Sequence, residues 1–76
     1  MRVRPASTTT AESFSEALER VGGSVFPVGK TLELVHPSGS LGTFEEMELR
    51  FFVRAWAVAS GDPAGVSLRI VEPATG

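Results

Sequence analysis

The alternation of apolar and polar positions predicts strands in three segments of the chain, residues 1–4, 31–36 and 66–71. A fourth segment, residues 24–28, is a shorter strand candidate that contains Pro27. Because proline has no amide hydrogen to donate to a neighbouring strand, this strand is expected at an edge of the sheet. One face of the alternating strands carries Met1, Val3, Leu32, Leu34, His36, Val66, Leu68 and Ile70.

A helix is predicted between the first two strands. Its apolar face consists of residues three or four positions apart, Phe14, Ala17, Leu18 and Val21. Thr9 and Glu12 have the spacing of a capping box, in which two side chains satisfy free amides at a helix start. The helix should run to Val21, because Gly22 and Gly23 supply a left-handed stop.

Residues 44–60 fit two different periods. An unbroken row of apolar residues at every second position suits a long strand: Met47, Leu49, Phe51, Val53, Ala55 and Ala57. A helix is favoured because Thr43 and Glu46 have the spacing of a second capping box, and because glutamates crowd the end where the helix dipole stabilises anions. The segment is therefore predicted to be a helix that ends at residues 61–63.

As a helix, residues 44–60 carry two apolar faces. The first is a stripe formed by Phe44, Met47, Phe51, Ala55 and Val58. The second consists of Leu49, Phe52, Val53 and Trp56. A helix that covers one sheet needs only one apolar face, and aromatic side chains are typical interface anchors. We therefore assign the second group to an interface, while packing of the same residues on Phe14 and Leu18 remains open.

The predicted order is strand, helix, strand, strand, helix, strand. This order is that of an α+β, ferredoxin-like βαββαβ two-layer sandwich, with two helices on one face of an antiparallel sheet. If residues 44–60 form a strand, the alternative is one helix packed on an antiparallel β-meander. Residues 1–76 should make a single small α/β domain, with residues 73–76 a frayed tail.

Composition excludes several classes of protein. The chain has 42% hydrophobic and 21% charged residues, which is typical of a folded domain. A net charge of -2 without a basic run argues against nucleic acid, and the strands at 1–4 and 31–36 lack aromatic residues that could stack on bases. No segment is long and apolar enough to span a membrane, and none has the pattern of a signal peptide.

The absence of cysteine and the excess of arginine over lysine indicate where the protein is found, but they indicate no activity. The chain has no cysteine, so its fold must be held by the core or by oligomerisation, and a reducing cytoplasm is expected. Six arginines stand against one lysine, which is a bias of GC-rich genomes and favours a bacterial source.

Candidate chemistry is sparse. Gly29-Lys30-Thr31 resembles part of a phosphate-binding loop, but the first glycine of that motif would fall on Ser24 and a strand follows where a helix is needed. The glutamates near residue 46 are better explained by helix capping than by a metal site. No cofactor or metal is therefore expected. The residues that could bind a ligand near the single histidine are His36, Ser38, Ser40 and Thr43.

The leading hypothesis is a non-enzymatic protein-interaction or assembly module that self-associates, as a homodimer, through the helix at residues 44–60. One alternative is a small-molecule-sensing regulatory domain, with an anionic ligand near the loop from His36 to Thr43. A second alternative is a small enzyme that uses the His36 loop.

Overall fold

The computed structural model describes residues 1–71, which form four strands and two helices. The α+β class is therefore confirmed, whereas the alternative of one helix on a meander is wrong. The tail predicted at residues 73–76 lies outside the described residues. The elements in chain order are β1 (Arg2–Pro5), α1 (Thr8–Arg20), β2 (Ser24–Val28), β3 (Thr31–Val35), α2 (Thr43–Ala59) and β4 (Leu68–Val71).

The four strands make one antiparallel sheet in the order β2-β3-β1-β4. Val3 in the central strand β1 is the register partner of Leu32 on one side and of Ile70 on the other. β2 lies at the edge, as Pro27 predicts, so the missing amide hydrogen leaves no gap inside the sheet. The register thus sets apolar residues side by side on one face of the sheet.

Both helices contribute to the core. Phe14 and Leu18 of α1 are fully buried, and Leu49 and Val53 of α2 join them against the sheet. The Phe14 ring also meets two aromatic rings of α2 edge-on. The buried residues in contact are Val3, Phe14, Leu18, Leu32, Leu34, Leu49, Val53 and Leu68. Within residues 1–71, neither helix has the length and apolarity needed to cross a membrane.

The start of α1 differs from the prediction. Ser7 adopts an extended backbone and is the N-cap, and its Oγ accepts a hydrogen bond from the Thr10 amide at 3.1 Å. Thr9 and Glu12 lie inside the helix, so the predicted capping box is wrong. A side-chain cap comes from the last extended residue before the helix, and here that residue is Ser7.

The capping box predicted for α2 is also wrong. Gly42 is the N-cap and makes no side-chain hydrogen bond, while Thr43 is already the first helical residue. The Glu46 amide donates instead to the Gly42 carbonyl at 3.0 Å, as in an ordinary first helical turn. Glu45 and Glu46 remain in the first turn, where the helix dipole favours their charge.

The end of α1 follows the glycine signal. Gly22 has a φ of +96°, which is a left-handed conformation that glycine adopts without steric cost. The Gly23 amide then donates to the Leu18 carbonyl at 3.0 Å, so the chain turns back towards the sheet.

The last strand is shorter than predicted because Asp62 holds the residues that precede it. Its Oδ1 accepts the Val66 amide at 3.2 Å, and its Oδ2 accepts the Ser67 amide at 2.8 Å and the Ser67 hydroxyl at 2.5 Å. Val66 therefore lies in the loop and is 58% exposed, and the strand begins at Leu68.

The strand β3 is also shorter than predicted. It ends at Val35, one residue before the predicted end at His36.

We expect Phe14→Ala to lower the free energy of unfolding by about 3–5 kcal/mol, because a large core side chain is lost and a cavity remains. That loss approaches the roughly 4–11 kcal/mol expected for a domain of this length. Denaturant unfolding measures the difference. Leu41→Ala, at a position that is 84% exposed, is the control and should change stability by about 0.5 kcal/mol or less. Equal effects of both substitutions would contradict this core.

Asp62→Asn should lower the melting temperature at neutral pH. The hydrogen bonds from the Ser67 hydroxyl and amide lower the pKa of Asp62 below its ordinary value. Its stabilising effect is then complete above the pKa of an unfolded aspartate and disappears as pH falls through the lowered pKa. Melting curves from pH 7 to pH 2 should show the two proteins converging in acid. A difference that is constant with pH would refute the role of the ionised carboxylate; Glu12→Gln is the control.

Candidate functional site

A continuous apolar stripe on α2 faces away from the core. Four of its side chains are large and open to solvent: Phe44 is 68% exposed, Met47 63%, Phe51 78% and Val58 64%. The outer stripe is defined here as Phe44, Met47, Phe51, Ala55 and Val58. Phe44, Met47, Phe51 and Ala55 also line a shallow groove of about 510 Å³. An exposed apolar patch of this kind is typical of a protein interaction site.

The opposite side of α2 packs on the rest of the domain. Leu49 and Val53 are buried in the core, and Phe52 and Trp56 pack against it. At 3.6 residues per turn, Phe51 then points directly away from the sheet. The interface prediction for Leu49, Phe52, Val53 and Trp56 is corrected accordingly. These residues form the inner side of the helix, as in the alternative of packing on Phe14, and the outer stripe is the accessible side.

Aromatic contacts explain which face of α2 is buried and which face is exposed. The centroid of the Phe14 ring lies 5.7 Å from that of Phe52 and 5.5 Å from that of Trp56, both edge-on. Such pairs add about 0.5–1.5 kcal/mol each beyond the burial of area. The outer stripe has no comparable partner within residues 1–71, so rotating α2 to bury it would lose both ring contacts.

Charged residues flank the outer stripe. Glu48 lies on one side and Arg54 on the other, and both are exposed. Arg50 donates to Glu46 Oε1 at 3.2 Å, four residues earlier on the same helix. An apolar centre with a polar rim is the usual arrangement of a protein interface, in which the rim contributes more to specificity than to affinity.

The single histidine joins the loop before α2 to the helix itself. The Ser38 amide donates to His36 Nδ1 at 3.0 Å, so Nδ1 carries no hydrogen. Nε2 therefore carries the hydrogen of the neutral ring and donates it to Glu48 Oε1 at 2.9 Å. The imidazole thus ties residue 36 to the second turn of α2.

Three of the four predicted ligand residues lie in one chain of hydrogen bonds. The Ser38 hydroxyl lies 2.9 Å from His36 Nδ1 and accepts the Ser40 amide at 3.2 Å. The Ser40 hydroxyl in turn accepts the Gly42 amide at 3.4 Å. Thr43 is exposed at the start of α2 and takes no part in this chain. The serine hydroxyls and the imidazole are thus used to shape the loop.

Glu48 was not identified as part of this site from the sequence. It follows His36 by twelve residues, and no short spacing rule connects a strand end to the second turn of a later helix. The resulting order of hydroxyl, imidazole and carboxylate is that of a hydrolase triad. However, Nδ1 has one lone pair, and this lone pair faces both the hydroxyl and the amide of Ser38. The amide already donates to it, so Nδ1 is not free to accept the proton of a nucleophilic hydroxyl as the histidine of a triad does.

The space beside this loop is acidic. A cavity of about 200 Å³ is lined by three glutamates, Glu33, Glu45 and Glu46, and by one positive group, the N-terminal ammonium of Met1, which lies 3.8 Å from Glu33 Oε2. Like charges would oppose an anionic ligand at this place. Among residues 1–71, no three His, Asp or Glu side chains are grouped closely enough to hold a metal ion. The sensing domain and the small enzyme at the His36 loop stay predictions.

Comparison of the chain with protein-family models, with curated proteins and with solved structures found no match.

We expect His36→Ala to free the loop without unfolding the domain. The loss of the hydrogen bonds to Glu48 and Ser38 should cost about 1 kcal/mol and speed hydrogen exchange at the Ser40 and Gly42 amides. Hydrogen exchange followed by NMR measures this directly. Core amides such as that of Leu34 serve as the internal control. Unchanged exchange in the loop would show that the imidazole does not hold it.

Proposed function

We propose that this protein is a non-enzymatic interaction module that self-associates through the outer stripe of α2. One observation carries the proposal: Phe44, Met47, Phe51 and Val58 share one helix face and are each more than 60% exposed. Apolar patches of this size and continuity on a small domain mark contact sites more often than free surface.

The energy of covering the outer stripe is comparable with the cost of association. Full burial of a phenylalanine, methionine or valine side chain is worth about 1.5–3 kcal/mol. Scaled by the exposed fractions, the four large side chains on each of two copies would contribute roughly 8–16 kcal/mol. Association costs roughly 4–15 kcal/mol in lost freedom and ordering. The gain and the cost are of similar size, so burial of the outer stripe supports a weak dimer.

The small core gives a second reason for self-association. Among residues 1–71, nine apolar residues are buried, which is few for a domain that has neither disulfides nor cysteine-bound metal. A contact between native chains stabilises the folded state by mass action. A second copy would thus supply burial that a short chain cannot supply by itself.

We further infer that the fold is a ferredoxin-like two-layer sandwich. The strand and helix order and the sheet order β2-β3-β1-β4 support this assignment. The fold by itself names no activity. A reducing bacterial cytoplasm remains our expectation for its location, on the basis of the absent cysteine and the excess of arginine over lysine.

The test is the solution mass, measured by light scattering over a hundredfold range of concentration. The wild-type protein should move from monomer to dimer within that range. Phe51→Ser should raise the dissociation constant at least tenfold, because it removes a large apolar side chain from the centre of the stripe.

Phe26→Ser is the matched control for this test. Phe26 is also exposed, at 53%, but it lies on β2 and not on α2. The control should leave the dissociation constant within about twofold. A wild-type protein that stays monomeric at the highest concentration would reject the proposal, and so would an equal weakening by both substitutions.

A further inference from the structure

The outer stripe is symmetric about its middle residue. Its members at positions 44, 47, 51, 55 and 58 are separated by three, four, four and three residues. The central member, Phe51, is also the midpoint of α2, which runs from Thr43 to Ala59. A copy of the helix turned end for end about Phe51 therefore presents the same stripe along its full length.

We infer that the partner is a second copy of this chain whose α2 lies antiparallel across this one, on a twofold axis beside Phe51. The inference rests on the proposed self-association and adds its orientation. A twofold axis makes the two contact surfaces identical, so one stripe serves both chains. It sets Phe44 against Val58 of the second copy and Met47 against Ala55 of the second copy.

The sizes of the paired side chains support this orientation. In the antiparallel arrangement Phe44 and Met47 each meet a smaller residue, and Phe51 meets its own copy at the axis, which allows the two surfaces to interdigitate. In a parallel arrangement Phe44 would meet Phe44 and Met47 would meet Met47, while Ala55 would meet only Ala55. Parallel helices would thus be overfilled at one end and leave a gap at the other.

The dimensions agree with a weak dimer. Two helices of this length would overlap over about 25 Å, with a contact about 10 Å wide. Such a footprint is about 250 Å² per chain, against about 800 Å² per partner in a standard interface. A contact through α2 alone therefore corresponds to a weak, transient dimer.

Introduced cysteines test the orientation, because the natural chain contains none. Met47→Cys and Ala55→Cys are prepared separately, mixed in equal amounts above the dissociation constant, and oxidised mildly. Antiparallel helices place residue 47 of one chain near residue 55 of the other, within reach of a disulfide. We expect the mixed disulfide to exceed either homodimeric disulfide at least tenfold by mass spectrometry. Arg69→Cys, on the sheet, is the control and should form none above background.

The outcomes separate the two proposals. If a homodimeric disulfide, between two Met47→Cys chains or between two Ala55→Cys chains, exceeds the mixed one, the helices are parallel and this inference is overturned. If light scattering shows a wild-type dimer but neither pair of positions cross-links, self-association stands and the antiparallel register fails. A monomeric wild-type protein rejects both proposals at the first measurement.

Discussion

The ring of Phe14, on α1, packs edge-on against Phe52 and Trp56, which lie one turn apart on α2. Two contacts at different heights fix the rotation of α2 about its own axis, because turning the helix would break both. Leu49 and Val53 consequently meet the sheet, and the outer stripe consequently meets solvent. The position of Glu48 beside His36 depends on the same rotation, so the shape of the loop before α2 follows from the aromatic contacts as well.

Much of the fold could be predicted from local patterns. The strands, the apolar face of α1 and the edge position of β2 depend on periodicity and on Pro27, and these signals act over a few residues. The element boundaries depend on competition between neighbours, which is harder to derive. Ser7 and Thr9 both carry a hydroxyl, and only the backbone conformation decides which one caps α1. The late start of β4 depends on Asp62, whose bonds to Val66 and Ser67 no periodicity reveals.

The candidate site was harder to predict than the fold. Both faces of α2 are apolar, so the composition of the helix does not distinguish core from surface. The choice depends on a tertiary contact with Phe14, a residue thirty positions or more away in sequence. The aromatic pair Phe52 and Trp56 is an anchor, but it anchors one helix of the domain to the other.

The outer stripe makes no contribution to the core, so packing within the domain does not explain why its side chains are apolar. Polar residues at positions 44, 47, 51 and 58 would leave every described core contact in place and would improve solubility. Large apolar residues at all four positions are therefore a cost that the isolated domain does not need. In the proposed dimer, a single twofold contact would cover the outer stripes of both copies and offset this cost. Such a contact would also couple folding to concentration, since only the folded chain presents α2 with this face outward. The same side chains that make the isolated domain less soluble would then stabilise the associated one.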